Sequence, residues 1–359
     1  MIPLSKPTFD KQTKEELLAV LDSGWVGNGP KVIEFEKAFA EYVGAKYAVA
    51  TNSCTSALDL CIKVYDIKGG ELVTTPVTFV SDAIVGEFNG MDVTFADVDP
   101  KTLCLDPKSI VGDPRVIIPV DSHGRLADVK KIKELFPKAL VIEDAAHACY
   151  TPGAGQYADI TVWSFQAVKT LPIFDGGMIT TNDEKIAKKL KARTWLGVEK
   201  STFDRVGKKG YSWKYDITQA NSIKGYMTDV QAVIGLGQLR RLEEMNAKRR
   251  YIQERYNDAF KDIPEFKEPA HSHTVQYYTA EWDSRDELCE FLMDKGIHTS
   301  VHFMPLSETT YWKKAKKKPL PNTDKVWLKL LSLPVHDSLT EEELHHIIMS
   351  VRQFYGQAY

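Results

Sequence analysis

Short apolar segments rich in β-branched residues alternate with helical patterns from about Lys14 to Ile179. Each apolar segment ends in turn-forming or polar residues, as strands do. The predicted strands are Tyr47–Thr51, Leu72–Thr74, Asp92–Ala96, Val116–Val120, Leu140–Glu143, Ile160–Phe165 and Met178–Thr181. Strands that alternate with helices are typical of a mainly parallel sheet covered by helices. The pattern therefore predicts an α/β domain whose ligands bind beyond the carboxyl ends of the strands.

A long helical pattern begins at Asp229 and runs to about Phe260, with a heavily charged second half. Such a helix is typical of a connection between domains, so we place the domain boundary within it. We predict a large domain over residues 1–240 and a small α+β domain over residues 241–359. The small domain is predicted to contain strands at Val275–Trp282 and His298–Phe303, a helix at Arg285–Lys295 and a final helix after Thr340.

The composition adds limits on partners and location. Over 359 residues, 43% are hydrophobic, 26% are charged and the formal net charge is -3. This charge offers no global attraction to nucleic acid or to an anionic membrane, so any anionic ligand must be held by a local site. The chain has no apolar run of about 18 residues and no signal-peptide pattern at its start, which predicts a cytoplasmic protein. Five scattered cysteines without a C-x-x-C pair predict reduced thiols and no metal site.

Small polar residues open a predicted helix directly after the first strand, at Ser53, Cys54 and Thr55. A helix start offers unpaired N–H groups and the positive end of the helix dipole, which together can hold a phosphate. The same residues also suit plain N-capping, in which the side chain of Ser53 satisfies the helix itself. From these residues alone, both interpretations remain open.

Two predicted strand ends carry the groups that a pyridoxal phosphate site needs. Asp144 follows the strand Leu140–Glu143, and Lys169 lies beyond the strand Ile160–Phe165. A carboxylate can keep the pyridine nitrogen protonated, and a lysine can form the Schiff base with the cofactor. Taken singly, each residue is better explained as a solvated loop charge. The prediction rests on their order along the chain, with the carboxylate before the lysine.

A series of short motifs runs along the chain from Pro3 to about Phe354. They include Gly29-Pro30-Lys31, Ser53-Cys54-Thr55, Thr78-Phe79-Val80, Asp97-Val98-Asp99-Pro100, Glu143-Asp144-Ala145-Ala146-His147, Ser164-Phe165 with Lys169, Asp175-Gly176-Gly177-Met178, Met227-Thr228-Asp229-Val230-Gln231-Ala232 and Val301-His302-Phe303. Each motif is weak alone, but in this order they make the chain resemble the DegT/StrS family of sugar aminotransferases. The resemblance implies a fold type I pyridoxal-phosphate enzyme with a mainly parallel large domain and a small C-terminal domain.

The resemblance also implies a role for each residue of the cofactor site. Lys169 is the expected Schiff-base lysine and Asp144 the expected partner of the pyridinium N–H, and these two are the expected catalytic residues. The other expected cofactor-binding residues are the phosphate holders Ser53, Cys54, Thr55 and Ser164, the ring-stacking Phe79, and His147 near the phenolic oxygen. Phe79 as a core residue and His147 as a residue satisfied by backbone remain alternatives. Lys224 is expected to reach the cofactor phosphate of a neighbouring subunit, which implies a homodimer with shared active sites.

Substrate contacts are implied in the same way. His302 and the loop that contains Trp25 and Asn28 are expected to line the substrate cleft, although both could instead be local packing. Gln166 and Phe174 depart from the residues that the family usually has beside the substrate. Because these departures spare the cofactor residues, they predict an altered sugar acceptor.

These expectations combine into one function. We predict an aminotransferase of amino sugar or polysaccharide biosynthesis that moves the amino group of L-glutamate to a keto group of a nucleotide-linked deoxy sugar. The presence of Lys169 argues against the family's dehydratase branch, in which a histidine replaces it. A non-catalytic sugar-nucleotide sensor and another fold type I activity, a lyase or desulfurase, remain alternatives. The basic run at residues 313–318 is expected to be a solvated face, with a patch that attracts the substrate diphosphate as the alternative.

Overall fold

The structure is a computed structural model that describes residues 1–149, 151–205, 213–315 and 318–357. Its helices are α1 (Lys11–Asp22), α2 (Pro30–Val43), α3 (Cys54–Val64), α4 (Ser81–Phe88), α5 (Val129–Leu135), α6 (Glu184–Arg193), α7 (Thr202–Arg205), α8 (Asp229–Phe260), α9 (Arg285–Asp294), α10 (Pro321–Val326) and α11 (Glu341–Phe354). Its strands are β1 (Tyr47–Thr51), β2 (Glu71–Thr74), β3 (Asp92–Phe95), β4 (Val116–Ile118), β5 (Leu140–Asp144), β6 (Ile160–Ser164), β7 (Gly177–Thr181), β8 (Phe266–Lys267), β9 (Tyr278–Trp282) and β10 (Leu330–Leu333). Within these ranges, no helix has both the length and the apolar character needed to cross a membrane.

The larger sheet of the described chain has the strand order β1-β7-β6-β5-β4-β2-β3. The strands from β6 to β3 pair in parallel, whereas β7 runs antiparallel to both of its neighbours, β6 and β1. Strand β7 follows β6 through a loop without a crossover helix, which is why it returns in the opposite direction. The predicted α/β fold with a mainly parallel sheet is confirmed.

A smaller antiparallel sheet, with the order β10-β9-β8, forms from the C-terminal part of the chain. The strand predicted at His298–Phe303 is wrong, because the backbone there pairs with β10 only at one residue. Ser300 exchanges backbone hydrogen bonds of 3.3 and 2.8 Å with Ser332. The segment then leaves the strand direction toward the larger sheet, where Leu306 donates a backbone hydrogen bond of 2.9 Å to the carbonyl of Pro76.

Helix α8 joins the hydrophobic clusters behind the two sheets. A capping box starts it, since the Thr228 hydroxyl accepts from the backbone of Gln231 while the Gln231 side chain accepts from the backbone of Thr228. Up to Met245 its buried side chains pack with the larger sheet, and from Ile252 onward they pack with the smaller one. The domain boundary at residues 240 and 241 stays a prediction.

Membership of the hydrophobic clusters does not follow chain order at either end. Ile2 packs in the cluster of the smaller sheet and bonds through its backbone to Gly296 and His298. Leu306, Trp312 and other side chains of the C-terminal half pack in a cluster of the larger sheet. Each sheet is therefore covered partly by residues that lie far from it along the chain.

Strand β7 begins at a glycine that touches the turn before α3. A Cβ on Gly177 would lie 2.7 Å from the carbonyl carbon and oxygen of Ser53 and from the Thr51 hydroxyl. Two of these three atoms belong to the backbone, which cannot move aside without displacing β1 or α3. Gly177 therefore sets how closely β7 can approach the start of α3.

We expect Gly177→Ala to lower the free energy of unfolding by about 1–3 kcal/mol, because the added methyl group must displace packed backbone. Urea unfolding measures this change. Gly27→Ala is the matched control, since a Cβ on Gly27 meets no atom within 4 Å, and we expect it to change the unfolding free energy by less than about 0.5 kcal/mol. Equal effects of the two substitutions would contradict the close approach at Gly177.

Candidate active site

A cavity of about 430 Å³ opens at the carboxyl ends of the parallel strands. Tyr277 and Phe303, from the C-terminal half of the chain, form part of its wall. Residues predicted from separate parts of the sequence meet in its lining, namely Ser53, Cys54, Thr55, Phe79, Asp144, His147, Ser164, Gln166 and Lys169. The cavity therefore brings together every predicted cofactor-binding residue except Lys224.

The start of α3 forms one end of the cavity. Ser53 is its N-cap, and the Ser53 hydroxyl accepts a 3.1 Å hydrogen bond from the backbone N–H of Ser56. Plain N-capping is therefore present at Ser53. Cys54 and Thr55 are the first residues of the helix, whose backbone N–H groups have no acceptor within the helix. Burial, and then the charge of Asp144, raise the pKa of the Cys54 thiol well above its ordinary value, so the thiol is neutral.

Asp144, the last residue of β5, brings a buried carboxyl group to the cavity. Its backbone is fixed on both sides, because it donates a 2.9 Å hydrogen bond to Pro119 and accepts one of 2.9 Å from Asp121. Burial raises the pKa of Asp144, against hydrogen bonds from Asp82 and from the backbone N–H of Ala146 and against the charge of Lys169, which lower it. The hydrogen-bond donors and the charge of Lys169 thus favour the ionised form of Asp144.

Lys169 lies in the loop between β6 and β7 and faces the same cavity. Its ammonium charge acts on Asp144 and also on His147. The loop is held by Gln276, whose side-chain amide donates to the carbonyl of Val168 at 2.9 Å and accepts from the N–H of Thr170 at 3.0 Å. Gln276 is almost fully buried. The sequence prediction missed it, although a glutamine inside an apolar strand pattern was an indication of a polar contact.

His147 is held in one ring orientation by a backbone group. Its Nδ1 accepts a 3.3 Å hydrogen bond from the N–H of His123, and its ring stacks near Phe303, with 6.0 Å between ring centroids. Burial, and then the charge of Lys169, lower the pKa of His147 well below the usual range, so the ring is neutral. A neutral ring that accepts at Nδ1 carries its proton on Nε2. One nitrogen is thus satisfied by backbone, as the alternative held, while the other remains available as a donor.

His302 does not line this cavity, which differs from the expectation. Its ring stacks on Tyr277 with 3.7 Å between centroids, and its Nδ1 lies 2.8 Å from the Ser332 hydroxyl. The carbonyl of His302 meets Nε2 of His123 at 3.0 Å. Tyr277 lines the cavity and packs on the face of the His302 ring. Burial, and then the charge of Lys169, lower the pKa of His302 to about 3.

The other predicted substrate residues are divided between two places. Trp25 and Asn28 line a separate cavity of about 300 Å³, and the Asn28 amide donates a 3.1 Å hydrogen bond to Met227. Phe174 is 55% exposed and packs against Phe9, with 6.3 Å between ring centroids. Of the predicted substrate residues, the structure therefore places Gln166 alone in the cavity with Lys169.

Lys224 is exposed and does not line the cavity of its own chain. Its ammonium group lies 5.6 Å from the ring centroid of Trp195. The next residue, Gly225, accepts a 2.7 Å backbone hydrogen bond from Asn52, so Lys224 lies beside the turn that leads into α3. The predicted basic run at residues 313–318 is only partly described, because residues 316 and 317 lie outside the described residues.

Comparisons with known proteins agree with this arrangement. Residues 7–352 match the profile of the DegT/DnrJ/EryC1/StrS aminotransferase family, which confirms the resemblance. The chain is 37% identical to the spore coat polysaccharide biosynthesis protein SpsC of Bacillus subtilis (strain 168), over 98% of this chain and 96% of that protein.

Similar solved structures include Spr1654 of Streptococcus pneumoniae in its PMP form, with 26% identity, a TM-score of 0.90 and coverage of 99% of both chains. Another is DesI in the presence of its TDP-sugar product, with 26% identity, a TM-score of 0.87 and coverage of 99% of this chain and 93% of that one. Both likenesses extend over the whole arrangement of the two sheets.

The buried His302 predicts a loss of stability in acid. With a folded pKa of about 3 and an ordinary pKa near 6.5, the unfolded chain takes up a proton that the folded chain does not, so stability falls as pH falls below about 6.5. Between about pH 7.5 and pH 5 this one residue accounts for about 2 kcal/mol. We expect His302→Asn to reduce the acid-side decline of the unfolding free energy by that amount, measured by urea unfolding across the pH range. Parallel curves for the two proteins would contradict the buried neutral ring.

Proposed function

Because the chain belongs to the DegT/DnrJ/EryC1/StrS aminotransferase family and is a sugar aminotransferase, we propose that it transfers an amino group from L-glutamate to a keto group of a nucleotide-linked deoxy sugar, with pyridoxal 5′-phosphate as its cofactor. The observation that carries this proposal is one cavity that holds both Lys169 and Asp144 beside the start of α3. DesI, which was solved with a TDP-sugar product, supports a nucleotide-linked acceptor. L-glutamate is the donor that the resemblance implies.

The residues of the cavity fit this cofactor. Asp144 offers a buried carboxyl group that can accept from a ring N–H, and Lys169 supplies the amine. The start of α3 offers unpaired N–H groups to a phosphate. Phe79 is 61% exposed although the residues on its N-terminal side are buried, which leaves a ring available for stacking.

When bound, pyridoxal phosphate supplies an aldehyde that can take up an amino group and a ring that can accept electrons. Lys169 would hold the cofactor covalently through Nζ, and once released it can move a proton between carbon atoms of the reacting groups. Asp144 would keep the ring nitrogen protonated through a charge-assisted hydrogen bond. The Nε2–H of His147 would donate to the phenolic oxygen. Ser164, at the end of β6, would join the start of α3 in holding the phosphate.

The alternative functions lose support at particular residues. A desulfurase needs a thiolate beside the cofactor, yet burial raises the pKa of Cys149 to about 12 and raises that of Cys54 well above its ordinary value. The sensor hypothesis depended on Phe174 and Gln166. Phe174 lies outside the cavity, and Gln166 turns its side-chain oxygen back to the N–H of Val168 at 3.0 Å.

Lys224 supports a further part of the proposal, namely a homodimer with shared active sites. It is exposed at the turn before α3 and points over Trp195, away from the lining of its own cavity. A lysine at this position can bind a phosphate only in another chain, or in its own chain after a change of rotamer. We propose that it contacts the cofactor phosphate of a second copy.

We expect Lys169→Ala to abolish the cofactor's covalent absorbance band and to lower transamination by at least about a thousandfold, because no other group supplies the amine. Absorbance titration with pyridoxal phosphate and a coupled assay with 4-keto and 3-keto nucleotide sugars measure both effects. Lys185→Ala, which removes an exposed lysine of α6, is the matched control and is expected to behave as wild type. Normal transamination by the Lys169 variant would contradict the proposal.

Mixed dimers test the shared site. Lys169→Ala and Lys224→Ala are each expected to be impaired as pure proteins, but one site of the mixed dimer would keep both lysines. An equal mixture of the two variants, unfolded and refolded together, is expected to recover about one quarter of wild-type activity. If Lys224 acted within its own chain, every site of the mixed dimer would carry a substitution and no activity would return.

A further inference from the structure

A second buried acid lies behind Asp144. Asp82, the second residue of α4, is 0% exposed. Its Oδ2 accepts a 2.6 Å hydrogen bond from the Thr78 hydroxyl, and its Oδ1 has no donor within the described part of the chain. Thr78 and the adjacent Ser81 line the cavity together with Asp144, and the Asp82 and Asp144 carboxyl groups act on each other's pKa through hydrogen bonding. Two ionised carboxylates cannot share such a dry place, so one of them must carry a proton.

The surroundings decide which of the two acids is protonated. Asp144 accepts from the backbone N–H of Ala146 at 2.8 Å, whereas Asp82 has a single hydroxyl donor. Burial and then the charge of Asp144 raise the pKa of Asp82 well above its ordinary value, although the charge of Lys169 opposes this. The remaining titratable neighbour, the thiol of Cys54, is neutral and adds no charge. The shared proton therefore belongs on Asp82.

We propose that Asp82 is a neutral carboxylic acid whose O–H donates to Asp144, and that this hydrogen bond keeps Asp144 ionised for the ring nitrogen of the cofactor. The inference rests on the proposed function, since it assigns Asp144 to that nitrogen. A carboxylate that accepts a further hydrogen bond is a weaker base. The proton of the ring nitrogen then stays on the ring, where it is needed for the ring to accept electrons. Asp82 is thus a positioning residue that acts through Asp144.

Two substitutions of Asp82 test whether it acts as a neutral hydrogen-bond donor or as a second negative charge. In Asp82→Asn, the amide can donate to Asp144 and accept from Thr78, as a protonated acid does. We expect Asp82→Asn to keep the Kd for pyridoxal phosphate within about threefold of wild type, and Asp82→Ala to raise it about tenfold or more. Absorbance titration measures each Kd. A tenfold loss in Asp82→Asn would overturn the proposal, because it would show that the charge of Asp82 matters. An unchanged Kd in Asp82→Ala would overturn it as well.

The pH profile of the Kd separates this role from a merely structural one. Without its donor Asp144 becomes a stronger base, so in Asp82→Ala the acid-side loss of cofactor affinity should begin at a higher pH than in wild type. A structural defect would weaken binding equally at all pH values. Asp229→Asn is the matched control, since Asp229 is also a buried acid, but its Oδ1 accepts from the backbone N–H groups of Gly29 and Val32 and not from the groups around Asp144. In this control we expect the acid-side loss of cofactor affinity to begin at the same pH as in wild type.

Infrared spectroscopy tests the protonation of Asp82 without any cofactor. At neutral pH the wild-type protein minus Asp82→Asn is expected to show the carbonyl band of a protonated carboxylic acid. Absence of that band would overturn the proposal, whether or not the protein binds pyridoxal phosphate. A wild-type protein that shows the band but does not bind the cofactor would instead contradict the proposed function. If Asp82→Ala does not fold, the Kd of Asp82→Asn and the infrared band still test the proposal.

Discussion

The proposed function requires a negative charge on Asp144 inside the protein, and this requirement is the constraint on which the site depends. An unpaired carboxylate loses much of its solvation energy when it is buried, and it tends to take up a proton instead. The structure opposes this with a backbone N–H, a second carboxyl group and the charge of Lys169. Each of these comes from a different part of the chain. The parallel strands bring them together, because their carboxyl ends share one edge of the sheet.

Residues that act close to their own position in the chain could be predicted from the sequence. The start of α8 follows from Thr228 and Gln231, which form a capping box three residues apart. Asp144 is the last residue of a buried strand, so its place at the sheet edge followed once the fold was known. The start of α3 was predicted from small polar residues that suit both a cap and a phosphate.

Residues whose positions depend on distant contacts could not be predicted in the same way. His302 was placed in the cleft, but its position is set by Ser332, 30 residues later, and by the stacking on Tyr277. Ile2 forms backbone hydrogen bonds with partners almost 300 residues away, at Gly296 and His298. Hydrophobic periodicity shows that a residue is buried, but it does not show against which surface. The surface against which a residue is buried is decided only when the sheets and helices pack together.

The amide of Gln276 has a further consequence for Lys169. A primary amide offers one donor and one acceptor side by side, as the N–H and C=O of one strand residue do. By bonding to Val168 and Thr170, it takes the place of one residue of a neighbouring strand, in a loop that runs between β6 and β7. The backbone on both sides of Lys169 is thus held by two hydrogen bonds like those of one residue in a sheet. The lysine side chain itself takes no part in these bonds. A shorter asparagine or a charged glutamate cannot make both bonds, so this single rung of β-structure depends on glutamine.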